Sequence, residues 1–244
     1  MASKSVLWKA LLFPYQVSVI LCFFLLIYLW GLVSYVASFC DANGNLTRRC
    51  ITGWARTSLA LAGLRIHVEG QERLNPQSTY IFMPNHASFL DTLLAFAYIP
   101  YNSRNIIKEE VFSIPLLGLV LKKSGQIPLD RRSPWKALKS LRQAADLLKG
   151  GISIVVFPEG TRSPSGEIQE LKTALFILPI RSRIAVVPVL IEGTFHALKR
   201  GSILLNPVPL RMTFYDPIPA DSFEVRDRGI YAEKVRQVLL AGGL

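Results

Sequence analysis

The spacing of apolar and polar positions divides the chain near residue 64. Residues 10–40 contain no charged side chain, and this run exceeds the roughly 20 residues that span a bilayer. A cleaved signal peptide is disfavoured because the apolar part is too long and residues 36–38 make a weak cleavage site. Two readings remain open. One is a single transmembrane helix, flanked by Lys4 and Lys9 on one side and by Arg48 and Arg49 on the other. The other is a helical hairpin lying in one leaflet, with residues 41–45 as its turn and 46–64 as an amphipathic return helix. In the second reading Trp54, Leu59, Ala60 and Leu61 point into lipid, and Arg48, Arg49 and Arg56 sit at the head groups. Either arrangement anchors the remainder of the chain.

From Arg65 onward the texture changes to short strands alternating with helices. Residues 65–69 alternate with period two and stop at Gly70. Residues 79–83 read as a strand ended by Pro84, and 104–107 as another ending in Lys108. Residues 111–122 predict a short apolar helix. Residues 125–131 predict a strand interrupted by Pro128, hence an edge or a bulge. Ser133-Pro134 opens a helix that Gly150 closes, with Trp135, Leu138, Leu141, Ala145 and Leu148 as its buried stripe. Residues 151–157 form an almost unbroken apolar run, the texture of a sheet interior covered on both faces. Helix 168–178, strands 184–191 and 210–215, and a final helix 222–241 complete the order. The fold class is α/β: a mixed, largely buried sheet flanked by helices, with a membrane-associated N-terminal segment (1–64) ahead of an α/β domain (65–244).

Composition narrows the setting. Half of the residues are hydrophobic, mean hydropathy is +0.32, and the formal charge is +11. A chain both apolar and basic suits anionic membrane lipid or an acidic soluble partner. No reading helix or basic tail with stacking aromatics points to nucleic acid. Cys22, Cys40 and Cys50 have no Cys-x-x-Cys spacing, and His67 and His196 lack a second ligand at metal spacing. Neither a disulfide framework nor a metal is predicted.

Two polar clusters sit where a core would want none. Asn85-His86-Ala87-Ser88-Phe89-Leu90-Asp91 comes directly after the second strand. On one continuous helix the histidine and aspartate would face apart, separated by about 7.5 Å along the axis. They meet if His86 lies in a loop and the helix starts afterward. Ser88 followed by Asp91 is a capping-box pattern that places the aspartate in the first turn. A carboxylate accepting from His86 Nδ1 fixes the tautomer and leaves Nε2 as a base. The second cluster, Phe157-Pro158-Glu159-Gly160-Thr161-Arg162-Ser163, crowds charged and hydroxyl residues at the end of a buried strand, where ligands bind in α/β sheets. Gly160 gives the backbone freedom for a tight turn there.

These two blocks, in this order, resemble those of the PlsC-like 1-acyl-sn-glycerol-3-phosphate acyltransferases. Lys108 with Ile114-Pro115 and the segment 125–131 are similar to a second motif of that family, and 187–191 to a fourth. Pro128 and Ala174 depart from its usual pattern. The resemblance implies an enzyme that moves a fatty acyl group from a thioester, on acyl carrier protein or coenzyme A, to the free hydroxyl of lysophosphatidic acid, giving phosphatidic acid. It implies no cofactor beyond that co-substrate. His86 would take the hydroxyl proton while Asp91 holds the ring. Arg162 would fork onto the acceptor phosphate, Lys108 and Arg131 would join it by family position, and Glu159, Gly160 and Thr161 would complete the acceptor site. Glu159 would either accept from the acceptor's glycerol or hold Arg162. A bacterial chain of this kind would sit on the inner membrane with its catalytic part cytoplasmic. Another acceptor on the same scaffold (a different lysophospholipid, glycerol 3-phosphate or an amino-acid lipid) and a catalytically silent membrane-binding protein are the alternatives.

Overall fold

The computed structural model describes residues 2–40, 45–130, 132–202 and 204–243, with the backbone alone for 2–13 and 134. Residues 41–44 of the turn expected at 41–45, and the proposed phosphate ligand Arg131, fall outside the described residues. Seven strands form one sheet: β1 (Ile66–Glu69), β2 (Ile81–Pro84), β3 (Ser103–Lys108), β4 (Ile127–Leu129), β5 (Ser153–Val155), β6 (Val186–Glu192) and β7 (Leu210–Phe214). Their order is β1-β7-β6-β2-β5-β3-β4. β6, β2, β5, β3 and β4 are mutually parallel, while β7 runs antiparallel to β6 and takes β1 beside it in parallel. The sheet is therefore mixed, as expected, and β4 with its Pro128 lies on the edge.

Central strands are covered on both faces, which explains their unbroken apolar texture. In β2, Phe82 enters one core cluster while Ile81 and Met83 enter the other; in β5, Val155 and Ile154 divide the same way. One face is covered by α2 (Asn45–Leu61) and α3 (Phe89–Tyr98), with α4 (Leu117–Lys123) beside them. The other is covered by α5 (Pro134–Lys149), α6 (Ile177–Ser182) and α8 (Arg228–Gly242). A short α7 (Thr194–Ala197), not foreseen from the sequence, comes after β6.

α1 (Ala2–Ala37) and α2 form an antiparallel hairpin: Tyr15 Oη donates to Ala62 O at 3.0 Å, and the Phe23 and Trp54 rings lie 5.6 Å apart. Gly53 of α2 lies where any Cβ would collide with the Trp30 ring, so the helices approach closely. This hairpin corrects the expected orientation of α2. Trp54 and Leu59 are 6% and 1% exposed and belong to the core with α3, so they do not face outward, whereas Ala60 and Leu61 are exposed as expected. Arg56 donates to Ala97 O at 2.9 Å and Thr52 to Phe96 O at 3.0 Å. Those two side chains, one turn apart, satisfy carbonyls that the end of α3 leaves free. The outward apolar surface belongs to α1, where Leu21, Phe24, Leu25, Tyr28, Leu29 and Leu32 are all exposed. Residues 14–40 pass by length and composition as a membrane span, with mean hydropathy 2.5.

Other boundaries shift for local reasons. The helix expected over 111–122 is split: a 3-10 turn (Glu109–Ser113) is followed by an extended Ile114, and α4 starts at Leu117. Pro115 disfavours helical geometry in the residue before it. The helix expected over 168–178 starts only at Thr173, as a 3-10 turn running into α6. The final helix starts at Arg228 after a separate capped turn (Val225–Asp227). In α5 the buried line is Ser140, Ala144 and Leu148, a spacing of four. At 100° per residue Trp135 and Leu138 fall off that line, and they are 72% and 37% exposed.

Candidate active site

Because β2 and β5 are adjacent and parallel, their carboxyl ends deliver both polar clusters to one place. β3 and β4 deliver Lys108 and Asp130 to the same edge. The sheet order puts this at a switch point, where β2 is followed in the chain by β3 but neighboured by β5.

Asn85 fixes the exit of β2. Its amide donates to Ile191 O at 3.0 Å and accepts the Ile191 N–H at 2.7 Å, extending the β2–β6 ladder by a side chain. The chain then turns through His86, and Ser88 caps α3 in the expected capping box. Asp91 is fully buried, and its Oδ2 lies 2.9 Å from His86 Nδ1. The same oxygen accepts the Ala87 and Ser88 N–H groups at 2.6 and 2.7 Å. With Nδ1 held, Nε2 is the ring nitrogen left for a substrate. The imidazole stacks on Phe157, with centroids 4.2 Å apart at 30°, and is 13% exposed.

Glu159 comes from the end of the neighbouring strand and is 2% exposed. Its Oε1 accepts the His86 N–H at 2.6 Å. Its Oε2 accepts from Gln169, from the side-chain Nε2 at 2.8 Å and the backbone N–H at 3.3 Å. Both carboxylate oxygens are thus engaged by the protein itself. Burial pushes the Glu159 carboxyl above the usual glutamate range, with the bonds from His86 and Gln169 pulling the other way. The Ser163 N–H closes the loop by donating to His86 O at 2.7 Å. Gly160 sits between these contacts at φ 72°.

A cleft of ≈ 350 Å³ opens beside His86. Lys108, Thr161, half-buried Arg162 and exposed Arg200 stand at its mouth, and Arg200 Nη1 donates to Arg162 O at 3.2 Å. Lys108 Nζ is 3.1 Å from Glu110 at the surface, a pairing too solvated to hold it strongly. Inward the walls turn apolar, with Trp54, Leu93, Ile106 and Leu121 among them. The arrangement offers a positioned base, a cationic rim and a greasy interior.

The structure thus gathers His86, Lys108, Gly160, Thr161 and Arg162 around one opening, with Asp91 and Glu159 buried behind His86 and bonded to it. Sequence reasoning missed Gln169, Arg200, the bridging amide of Asn85 and the stacking of Phe157. Gln169 stands in a stretch read as helix, and nothing periodic signals that it serves the loop at Glu159. Asn85 acts on a strand 106 residues away.

The acyltransferase family model matches residues 65–192. The 1-acyl-sn-glycerol-3-phosphate acyltransferase of Cocos nucifera is 31% identical over 194 residues, covering 79% of this chain and 61% of that protein. Its namesake from Limnanthes alba is 30% identical over 196 residues, covering 80% of this chain and 68% of that protein. The chloroplastic relative from Arabidopsis thaliana is 34% identical, and the match spans 48% of its length. Among solved structures, the 1-acyl-sn-glycerophosphate acyltransferase PlsC of Thermotoga maritima superposes with a TM-score of 0.76 at 24% identity, covering 91% of this chain and 93% of that one. That last likeness is one of fold.

Proposed function

The chain belongs to the acyltransferase family, and on that premise we propose that it transfers a fatty acyl group from a thioester to the free hydroxyl of 1-acyl-glycerol 3-phosphate, forming phosphatidic acid. The observation that carries the reading is the His86–Asp91 contact of 2.9 Å at the mouth of a cleft that is cationic outside and apolar within.

An alcohol attacks poorly at neutral pH unless its proton leaves as the bond forms. His86 Nε2 takes that proton while the hydroxyl oxygen bonds to the thioester carbonyl carbon. Asp91 stabilises the imidazolium through Nδ1–H. As the carbon–sulfur bond breaks, the same proton passes to the departing thiolate, and the base is regenerated. The thioester, on acyl carrier protein or coenzyme A, brings its own activation, so the reaction needs no cofactor. Arg162 and Lys108 at the rim take the acceptor phosphate, Arg162 through its planar fork.

The unusual surface of α1 supports membrane attachment. A helix apolar all round is buried on every side or faces lipid on one. α1 is packed on α2 along one side, and its exposed side carries phenylalanine, leucine and tyrosine. Gln16 and Gly31 of the same helix touch the α/β body, at Leu205 and Leu116. The hairpin therefore lies along the body with its outward face in one leaflet.

The test supplies lysophosphatidic acid, glycerol 3-phosphate and other lysophospholipids in parallel with each thioester. Phosphatidic acid as the main product supports the reading. Preference for another acceptor would reassign the substrate and keep the chemistry.

A further inference from the structure

Next to the His86 cleft lies a second cavity of ≈ 370 Å³, to which the acyl-transfer mechanism gives no role. Its walls come from four segments: Val19 and Phe23 of α1, Leu59 of α2 with Ala62 just beyond it, Leu90 of α3, and Leu205. All are apolar. Phe89, Leu93 and Arg162 line both spaces. One turn of α3 is therefore the partition between the two cavities, and Arg162 stands at their junction. Lys199 adds a second cation to the rim of the second space.

The wall contributed by α1 is fixed in place by a polar residue in the uncharged run. Gln16 is buried, its Nε2 donates to Leu205 O at 2.5 Å and its Oε1 accepts the Leu205 N–H at 2.8 Å. Phe24, 55% exposed, lines the cavity from the outward face of α1. The groove is thus open toward the side of the molecule that faces lipid.

We propose that this groove holds the hydrocarbon chain already present on the acceptor lipid, while the cleft under α3 and α4 takes the chain being transferred. The proposal rests on the reading that the acceptor is a lysophospholipid. Such an acceptor carries a phosphate and an alkyl chain on one glycerol, so its site must place a cation beside an apolar channel. Arg162 and Lys199 on the rim of the groove supply that pairing. A lipid in the leaflet enters sideways past Phe24 with its chain still in an apolar medium. A thioester delivered from solution instead meets the cleft at the exposed Arg200, while Lys108, across the mouth, shares the acceptor phosphate with Arg162. Two chains in separate channels also explain why Phe89 and Leu93 are common to both walls: they keep the chains apart where the reacting groups meet. Because the chain passes from one apolar medium to another, the groove holds it by close packing and by the phosphate contact, with no driving force from leaving water.

Photoaffinity mapping on the full-length protein in lipid nanodiscs tests this. One probe is lysophosphatidic acid with a diazirine at the chain end; the other is a non-transferable acyl-coenzyme A thioether with the same tag. The expected labels are Val19, Leu59, Ala62 or Leu205 from the first probe, and Ile106, Leu121 or Leu129 from the second. Ala62→Phe, which fills the groove, should cut labelling by the first probe by about tenfold or more, since forcing a chain into occupied space carries the penalty of overpacking, and leave the second pattern as it was. Exchanged labels, both probes in one cavity, or lysophosphatidic acid labelling only Leu25 and Leu29 on the outer face would overturn the proposal. The wild-type map decides the matter even if the variant fails to fold. Turnover is not required: labelling in the groove without phosphatidic acid formation would remove the proposed reaction and leave the groove standing. Phosphatidic acid formation without labelling there would do the reverse.

Discussion

Glu159→Gln separates two roles for a residue at the end of β5. The glutamine has the same shape, so the consequences stem from its donors and acceptors. Its oxygen can still accept the His86 N–H, now at 2.6 Å from a neutral partner, and such bonds are roughly half as strong as charge-assisted ones. Its new NH2 faces two donors of Gln169, at 2.8 and 3.3 Å. Gln169 can turn its amide to relieve one clash, but it then gives up its 3.0 Å bond to Thr161 O. A buried group left unpaired costs about 1–3 kcal/mol. Removing a buried carboxylate offsets part of this, so the expected net loss is about 1–2 kcal/mol. The activity effect is larger, because a base displaced by about 1 Å can lose ~10²-fold in rate. The expected result is a fall in kcat of about 10- to 100-fold with little change in KM for lysophosphatidic acid. The assay is acyl transfer under saturating thioester, with a thermal melt alongside. Unchanged kcat with a raised acceptor KM would overturn the positioning role and place Glu159 against the acceptor. The wild type adds a pH signature. Its raised Glu159 pKa means the folded protein binds that proton more tightly than the unfolded chain. The stabilisation from this residue is complete below the ordinary glutamate value and lost as pH rises through the folded value. Acidification through that window therefore spares the fold but weakens the hold on His86, and kcat falls; in Glu159→Gln the part of the acid limb that comes from residue 159 is absent.

Three further variants each probe a single contact. Arg162→Lys replaces a planar fork by a point charge and should raise the acceptor KM by about tenfold, the worth of one good charge-assisted bond, with thioester KM unchanged. Gly160→Ala forces a side chain onto a residue at φ 72°; calorimetry should show a loss of about 1–2 kcal/mol, and an unchanged melt would mean that the loop relaxes freely. Gln16→Leu leaves both backbone groups of Leu205 without the side chain that serves them; a loss of about 2–4 kcal/mol and faster proteolysis within 198–206 are expected, and wild-type resistance would show that α1 is held by packing alone.

Much of this was legible in the chain because the relevant physics is local. The capping box at Ser88 and Asp91 is a four-residue pattern, and it placed the carboxylate where it meets His86. Alternation and apolar runs located the strands, and two of them ended in the polar clusters that the parallel sheet brings together. The failures share one cause, which is that distant partners decide them. α2 looked amphipathic toward lipid, but Trp54 and Leu59 are taken by α3 and by the rings of α1, and only Ala60 and Leu61 of the expected face stay outward. The stretch before Thr173 is not helical because Gln169 and Lys172 donate to Glu159 and Pro158 instead of closing a turn. Trp135 sits where a helical stripe would begin, yet the sheet meets α5 on a line through Ser140 and Ala144. No periodicity reports such choices.

The proposed chemistry is tested most simply by acyl transfer to lysophosphatidic acid by the purified wild type and by His86→Ala, with both thioesters supplied in parallel. A base at His86 predicts phosphatidic acid from the wild type and a fall of ~10² or more in the variant, with the melting temperature close to wild type. Equal turnover by the two proteins, or no product from a folded, membrane-bound wild type with either thioester, would contradict it.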